Sequence, residues 1–205
     1  MTIPSNLNRI SGLQDALVED LKSKGCIQSP NVEGAFRAVP RHLFLPDVAP
    51  ERVYSDDAIL TKRMDGKVVS SSSQPAIMAI MLEQLGLQPG HRVLEIGAAT
   101  GYNAGLMGHL VGDSGEVVTI DIDEDLAAGA RAHLAAAGLN RVRVVCGDGG
   151  LGYPSGAPYD RIILTVGAWD IAPRVVGAIE TWRTATVTPG GERRHPEIGC
   201  ICSNR

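Results

Sequence analysis

The chain has 205 residues, 44% of them hydrophobic, and a net charge of −4. That length suits one domain with an ordinary core, and the mild acidity without a long basic run argues against nucleic acid as the main partner. No apolar run reaches about 18 residues and no basic-then-apolar leader opens the chain, so no membrane association is expected and the expected compartment is the cytoplasm. The four cysteines, Cys26, Cys146, Cys200 and Cys202, are too sparse for a disulfide framework and lack zinc-site spacing, so reduced thiols and no metal are expected.

Leu7, Ile10, Leu13, Leu17 and Leu21 recur at steps of three and four, which predicts an amphipathic helix over 5–24 ended near Gly25. A short helix follows over 32–38. Residues 39–46 carry Pro40 and Pro46 and are expected to be extended. Asp65-Gly66 marks a turn. The serine run at 70–73, with Gln74 and Pro75, is expected to open a helix that ends near Leu85, with a serine as its cap and Gly86 as its stop. From Arg92 the pattern alternates strand and helix. Strands are predicted over 92–96, 116–121, 142–146 and 161–166, with helices over 102–110 and 123–137. Repeated βα units predict an α/β fold, a parallel sheet with helices on both faces. A further strand is a candidate over 183–188, Pro189-Gly190-Gly191 reads as a turn, and the polar stretch 192–205 reads as a loosely ordered tail. The whole chain, 1–205, is read as one domain: an N-terminal helical and substrate-side region (1–88), a βα core (89–180) and a divergent tail (181–205).

The chemistry gathers at three strand ends. Glu95 closes the first core strand and leads into Gly97 and Gly101. This loop has neither the Gly-x-Gly-x-x-Gly spacing of dinucleotide binding nor the Lys-Ser/Thr of a phosphate loop. An acid there would repel a pyrophosphate, so it suits a cofactor that carries positive charge and no phosphate. S-adenosylmethionine fits, with its ammonium, sulfonium and ribose diol. Asp121 ends the second strand, where a carboxylate can accept two hydrogen bonds from the diol. Asp148 follows the third strand between Gly147 and Gly149, where it can accept from an adenine amino group while the glycines let backbone approach the ring. Taken singly, each has a plainer reading: an exposed turn glutamate, a helix-cap aspartate, a common Asp-Gly turn. Together the three strand ends favour cofactor binding.

A resemblance adds to this reading. Val39-Pro40-Arg41 with Phe44 and Pro46, Tyr54-Ser55-Asp56 with Ala58-Ile59-Leu60, Ser72-Ser73-Gln74-Pro75, and the loop from Glu95 to Tyr102 form one set. Gly147-Asp148-Gly149, Gly152-Tyr153 and Ala157-Pro158-Tyr159-Asp160 complete it. Over about residues 35–180 the chain resembles the protein-L-isoaspartate O-methyltransferases, class I S-adenosylmethionine-dependent enzymes. The resemblance implies a Rossmann-like, doubly wound, mostly parallel sheet with an N-terminal helical extension and an incomplete or divergent C-terminal end. It implies that Ser73 is catalytic, lying between cofactor and substrate carboxylate. It places Glu95, Gly97 and Gly101 around the cofactor's amino-acid end, Asp121 at the ribose, and Asp148 with Gly149 at the adenine. Ser72, Gln74, Ala98 and Thr100 complete the implied cofactor set. The implied acceptor is a peptide or protein bearing an isoaspartyl or aspartyl carboxylate; the oligomeric state is left open. A carboxylate is already a nucleophile and a sulfonium is already activated, so proximity and exclusion of water carry the rate. His42, His91, His109 and His133 are therefore read as surface or packing residues.

Three departures stand out. The run 61–69, the four serines and Val166-Gly167-Ala168-Trp169-Asp170 look more like actinobacterial relatives of ribosomal peptide pathways, in which a peptide aspartate is methylated and closes to an aspartimide. Ala98-Ala99 replaces a usual polar pair. Pro189-Gly190-Gly191 leads into Glu192-Arg193-Arg194-His195-Pro196 rather than an apolar strand, so the last sheet strands are expected to be missing or replaced, leaving an open edge. That tail motivates a further alternative, a cofactor-binding but inactive module.

Overall fold

The computed structural model describes residues 5–167, residue 175 and residues 185–187. Helix α1 (Ser5–Ser23) buries Leu17, Val18 and Leu21 along its apolar stripe, and Gly25 at φ +70 ends it in the left-handed region. Helix α2 (Pro30–Ala38) starts on Ser29, whose hydroxyl accepts the Val32 N–H at 3.3 Å. Residues 39–46 are not extended as their prolines suggested. Arg41–Phe44 forms a 3₁₀ turn, with Pro40 at its N-cap and the Leu43 N–H donating to the Pro40 carbonyl at 3.1 Å. The fixed φ of proline starts such a turn as readily as it ends a helix. A single helical turn, α3 (Pro50–Val53), follows.

The serine run also departs from expectation. Strands β1 (Ile59–Met64) and β2 (Lys67–Ser72) form an antiparallel hairpin in which Ser70, Ser71 and Ser72 pair with Lys62, Leu60 and Ile59. Asp65 (φ 49) and Gly66 (φ 76) both take positive φ, the requirement of a tight two-residue hairpin turn. Three of the serines are therefore strand residues. Helix α4 (Pro75–Leu85) begins on Gln74, which makes no side-chain cap. Its free N–H groups are served from elsewhere: Asp56 Oδ1 accepts the Ala76 N–H at 2.9 Å.

The main sheet has β3 (Arg92–Ile96), β4 (Glu116–Asp121), β5 (Arg143–Cys146), β6 (Arg161–Leu164) and β7 (Ala185–Val187), in the order β5-β4-β3-β6-β7. All four pairings are parallel. The chain winds outward from β3 through α5 (Tyr102–Val111) to β4, then through α6 (Glu124–Ala136) to β5. It then crosses back and adds β6 on the other side of β3, which makes a doubly wound sheet with its switch point at the carboxyl end of β3. Strand β7 lies within the predicted 183–188 stretch and extends the sheet beyond β6. Residues 168–170 and the predicted turn and tail from 189 onward lie outside the described residues. Side chains of β3, β4 and β6 alternate between two apolar clusters. Val93, Val117 and Ile163 pack beneath α4, α5 and the N-terminal helices, and Leu94, Ile96, Val118, Ile120, Ile162 and Leu164 pack with Tyr159 on the other face.

Asp56 joins these parts, since its second carboxylate oxygen also takes the Lys24 ammonium at 3.0 Å, with only 12% of its side chain exposed. Asp56→Ala is expected to cost about 1–2 kcal/mol, as loss of a helix cap does. Urea unfolding checks this: the midpoint falls at constant slope. An unmoved midpoint would show that Pro75 alone sets the start of α4.

Candidate active site

The parallel register sets Glu95 of β3 directly beside Thr119 of β4. Both side chains point to the face covered by α5, so Glu95 is 1% exposed rather than a turn residue in water. Its carboxylate is satisfied from both sides: Thr119 Oγ1 donates to Oε2 at 2.6 Å, and Asn103 Nδ2, from the first turn of α5, donates to Oε1 at 2.8 Å. Burial pushes the Glu95 carboxyl up to about 7; the hydrogen bonds from Thr119 and Asn103 oppose the rise and the nearby charge of Asp121 adds to it. Asn103 Oδ1 is buried and has no hydrogen-bond partner among the described residues. An orphaned acceptor beside a buried acid calls for a donor from outside the fold.

The loop after β3 is shaped by close approach. Gly97 has φ +108, and a Cβ there would lie 2.5 Å from Val166 Cγ1 and 2.8 Å from Thr165 Oγ1, so a side chain cannot be accommodated. Thr165 Oγ1 donates to the Gly97 carbonyl at 2.7 Å. Ala99 takes φ 44, unusual for a residue with a Cβ. It is held there by Asp121, whose Oδ2 accepts the Ala99 N–H at 2.9 Å while Oδ1 accepts the Asp123 N–H at 3.1 Å. One carboxylate thus fixes the loops after β3 and β4 together.

An open cavity of about 530 Å³ lies at the carboxyl ends of these strands. Glu95, Gly97, Ala98, Thr100, Asn103 and Asp121 line it, and Ser72 and Ser73 line it from the end of β2. The hairpin adds Met64, Val68 and Val69. Lys62 ties that hairpin to the start of α6, with Nζ 2.6 Å from Asp123 and 2.9 Å from Asp125.

Four expected residues stand outside the lining. Gln74 is the N-cap of α4. Gly101 packs against α6, where a Cβ would meet Ala130 Cβ at 3.2 Å. Gly149 lies on the end of β3, where a Cβ would fall 2.3 Å from Ile96 Cγ2. Asp148 is exposed and caps its own turn, accepting the Gly150 N–H at 2.8 Å. Their loop still abuts the site, because the Gly147 N–H donates to the Asp121 carbonyl at 2.8 Å. Sequence reasoning missed Asn103, Thr119, Thr165 and the hairpin wall. Thr119 had a signal, a lone polar residue in Val117-Val118-Thr119-Ile120. His42 meets the Tyr54 hydroxyl at 2.8 Å, His91 accepts the Gln88 N–H at 3.2 Å, and His133 lies 3.0 Å from the Thr100 carbonyl; none of these lines the cavity.

These residues fit S-adenosylmethionine. A buried carboxylate and an amide oxygen without a partner among the described residues have the chemistry to suit a cationic, donor-rich end, and the glycine loop borders the same cavity. The comparisons agree. The family model described as protein-L-isoaspartate(D-aspartate) O-methyltransferase matches residues 12–180. The protein-L-isoaspartate O-methyltransferase of Methanopyrus kandleri is 40% identical over 189 residues, which cover 92% of this chain and 81% of that protein. The one from Thermotoga maritima is 39% identical over 156 residues, 76% of this chain and 47% of that protein. A solved protein-L-isoaspartate O-methyltransferase superposes with a TM-score of 0.78 at 35% identity, over 85% of this chain and 54% of that one. The chain therefore spans about half the length of the Thermotoga protein and of that solved structure. A Plasmodium falciparum protein solved with S-adenosyl-L-homocysteine gives a TM-score of 0.74 at 16% identity, a likeness of fold.

The Glu95 environment generates a paired prediction. Its folded pKa is raised, so the stability it contributes is present at low pH and lost as pH rises through about 7. Glu95→Gln is therefore expected to raise the thermal midpoint of the ligand-free protein at pH 8 and to leave it nearly unchanged at pH 5. Calorimetric affinity for S-adenosylmethionine is expected to fall by about tenfold or more, the loss of a buried charge pair. An unchanged affinity would remove Glu95 from the binding set.

Proposed function

The chain belongs to the protein-L-isoaspartate(D-aspartate) O-methyltransferase family, and on that premise we propose that it methylates the free carboxylate of L-isoaspartyl residues in proteins or peptides. The observation that carries the proposal is the buried Glu95–Asn103 pair opening into a cavity that Ser73 also lines. Glu95 and Asn103 Oδ1 would hold the cofactor's ammonium. Asp121 would hold the ribose, since each of its oxygens keeps a second lone pair after serving the backbone. Asp148 and Gly149, on the adjoining loop, would serve the adenine. When bound, S-adenosylmethionine supplies a methyl group already activated on a sulfonium.

The chain's own work is then positioning and dryness. Among the described residues no protein group takes the Ser73 hydroxyl, whereas its carbonyl is held by Arg41 at 3.0 Å. The hydroxyl is thus free to donate to an acceptor oxygen while the backbone that carries it stays fixed. Met64, Val68, Val69 and Ile122 are exposed apolar residues on the cavity wall, and a peptide covering them would exclude water from the reacting oxygen. A carboxylate needs no base to attack, which agrees with His42, His91, His109 and His133 lying outside the cavity lining. This reading carries a cytoplasmic setting.

A second reading has one observation behind it. The 61–69 run that sets this chain apart is the hairpin that walls the cavity, which favours methylation of an aspartate in a dedicated peptide. Two peptides that differ only in an isoaspartyl or aspartyl linkage separate the readings, with base-labile methyl ester as the readout. Methyl ester on the isoaspartyl peptide alone is expected. Ester on the aspartyl peptide alone would favour the second reading, and ester on neither, with cofactor bound, would reject the isoaspartyl proposal. Ser73→Ala is expected to lower kcat by roughly tenfold to a hundredfold, as loss of one positioned donor does, with cofactor affinity changed less than about twofold.

A further inference from the structure

Arg41 is fully buried, yet no carboxylate lies within ion-pair distance of it among the described residues. Nη1 donates to the carbonyls of Val53 at 3.0 Å and Ser55 at 3.4 Å. Nη2 donates to the Ser73 carbonyl at 3.0 Å and to Ser72 Oγ at 3.3 Å, and the guanidinium carbon sits 5.7 Å from the centre of the Tyr102 ring. Nε has no partner. Each of these contacts among the described residues is to a neutral group. Asp56 acts on it through space but is committed to Lys24 and the Ala76 N–H. A cation taken out of water without an anion is costly, and a neutral donor would tie the same carbonyls together without that cost.

The charge has a position that makes sense of it. Ser72, Ser73 and Tyr102, all in contact with Arg41, line the cavity. Among its described lining residues the cavity has three acids, Glu95, Asp121 and Asp123, and no lysine or arginine. A carboxylate substrate would enter a site whose own charge repels it. We propose that Arg41 is the counter-charge for the acceptor carboxylate, a positioning residue that acts through Ser72 and Ser73 to hold the anion at Ser73 and to select an acid over its neutral amide. The inference rests on the acceptor proposed above.

The full chain, saturated with S-adenosyl-L-homocysteine, is titrated with two peptides identical except for an isoaspartyl carboxylate in one and the corresponding amide in the other. The wild type is expected to bind the acid about tenfold more tightly or better, the effect of one unit charge at short range in a protein interior. Arg41→Met is expected to bring that preference close to one while S-adenosyl-L-homocysteine affinity stays within about twofold, and Arg41→Lys to keep part of it. Equal weakening of both peptides by Arg41→Met would overturn the proposal, because a purely structural role predicts it. A wild type that binds the amide as tightly as the acid would overturn it with no variant needed. A wild type that prefers the acid but transfers no methyl group to it would fault the proposed reaction and leave the charge assignment standing.

Discussion

A carboxyl group kept out of water in the middle of a parallel sheet is the constraint on which this structure turns. Glu95 stands on a strand face otherwise filled with Val93, beneath α5, where an apolar residue would pack without penalty. Its retention there is compensated locally by Thr119 and Asn103, and each is placed by a feature of the fold: Thr119 by the β3–β4 register, Asn103 by the first turn of α5. Shifting β4 by one residue would turn Thr119 to the other face and strip the acid of one donor. The site and the sheet are therefore specified by the same pairing.

Around that acid the molecule assembles its cavity from two separate pieces. The switch point of the sheet provides the glycine loop and the strand-end aspartate, and the N-terminal region provides the hairpin and the serine pair at its end. Arg41 and Lys62 join the pieces in different ways. Arg41 ties the loop after α3 to the end of the hairpin from inside the core, and Lys62 ties the hairpin to α6 from the surface. The switch-point half is parallel strand and helix, whereas the hairpin half hangs on a two-stranded ribbon.

The switch-point half was legible in the sequence because local signals and global fold agree there. β-branched runs ending in Glu95 and Asp121, with Gly97 at a point of close approach, carry their meaning in short range. The hairpin half was harder to read. Four consecutive serines before a proline look like a helix cap, and only the pairing of Ser70, Ser71 and Ser72 across the Asp65-Gly66 turn makes three of them strand. Pro40 reads as a breaker of regular structure, yet it opens the turn that buries Arg41. The orphaned oxygen of Asn103 and the unpaired charge of Arg41 depend on contacts between segments far apart in the chain, which no local pattern encodes. Asp148 shows the reverse case: the residue type is the expected one, and its carboxylate is turned to its own loop.

The Lys62 tether makes one attachment of the hairpin depend on salt. Its partners Asp123 and Asp125 lie at or near the surface, with side chains 25% and 88% exposed, and ion pairs of that kind weaken as salt shortens the Debye length to about 8 Å at physiological strength. The tether spans from the β1–β2 ribbon to the turn that follows Asp121. At its other end the ribbon is held by Arg41 from inside the core, where salt screens far less. Ionic strength therefore acts on one attachment of the hairpin and spares the other.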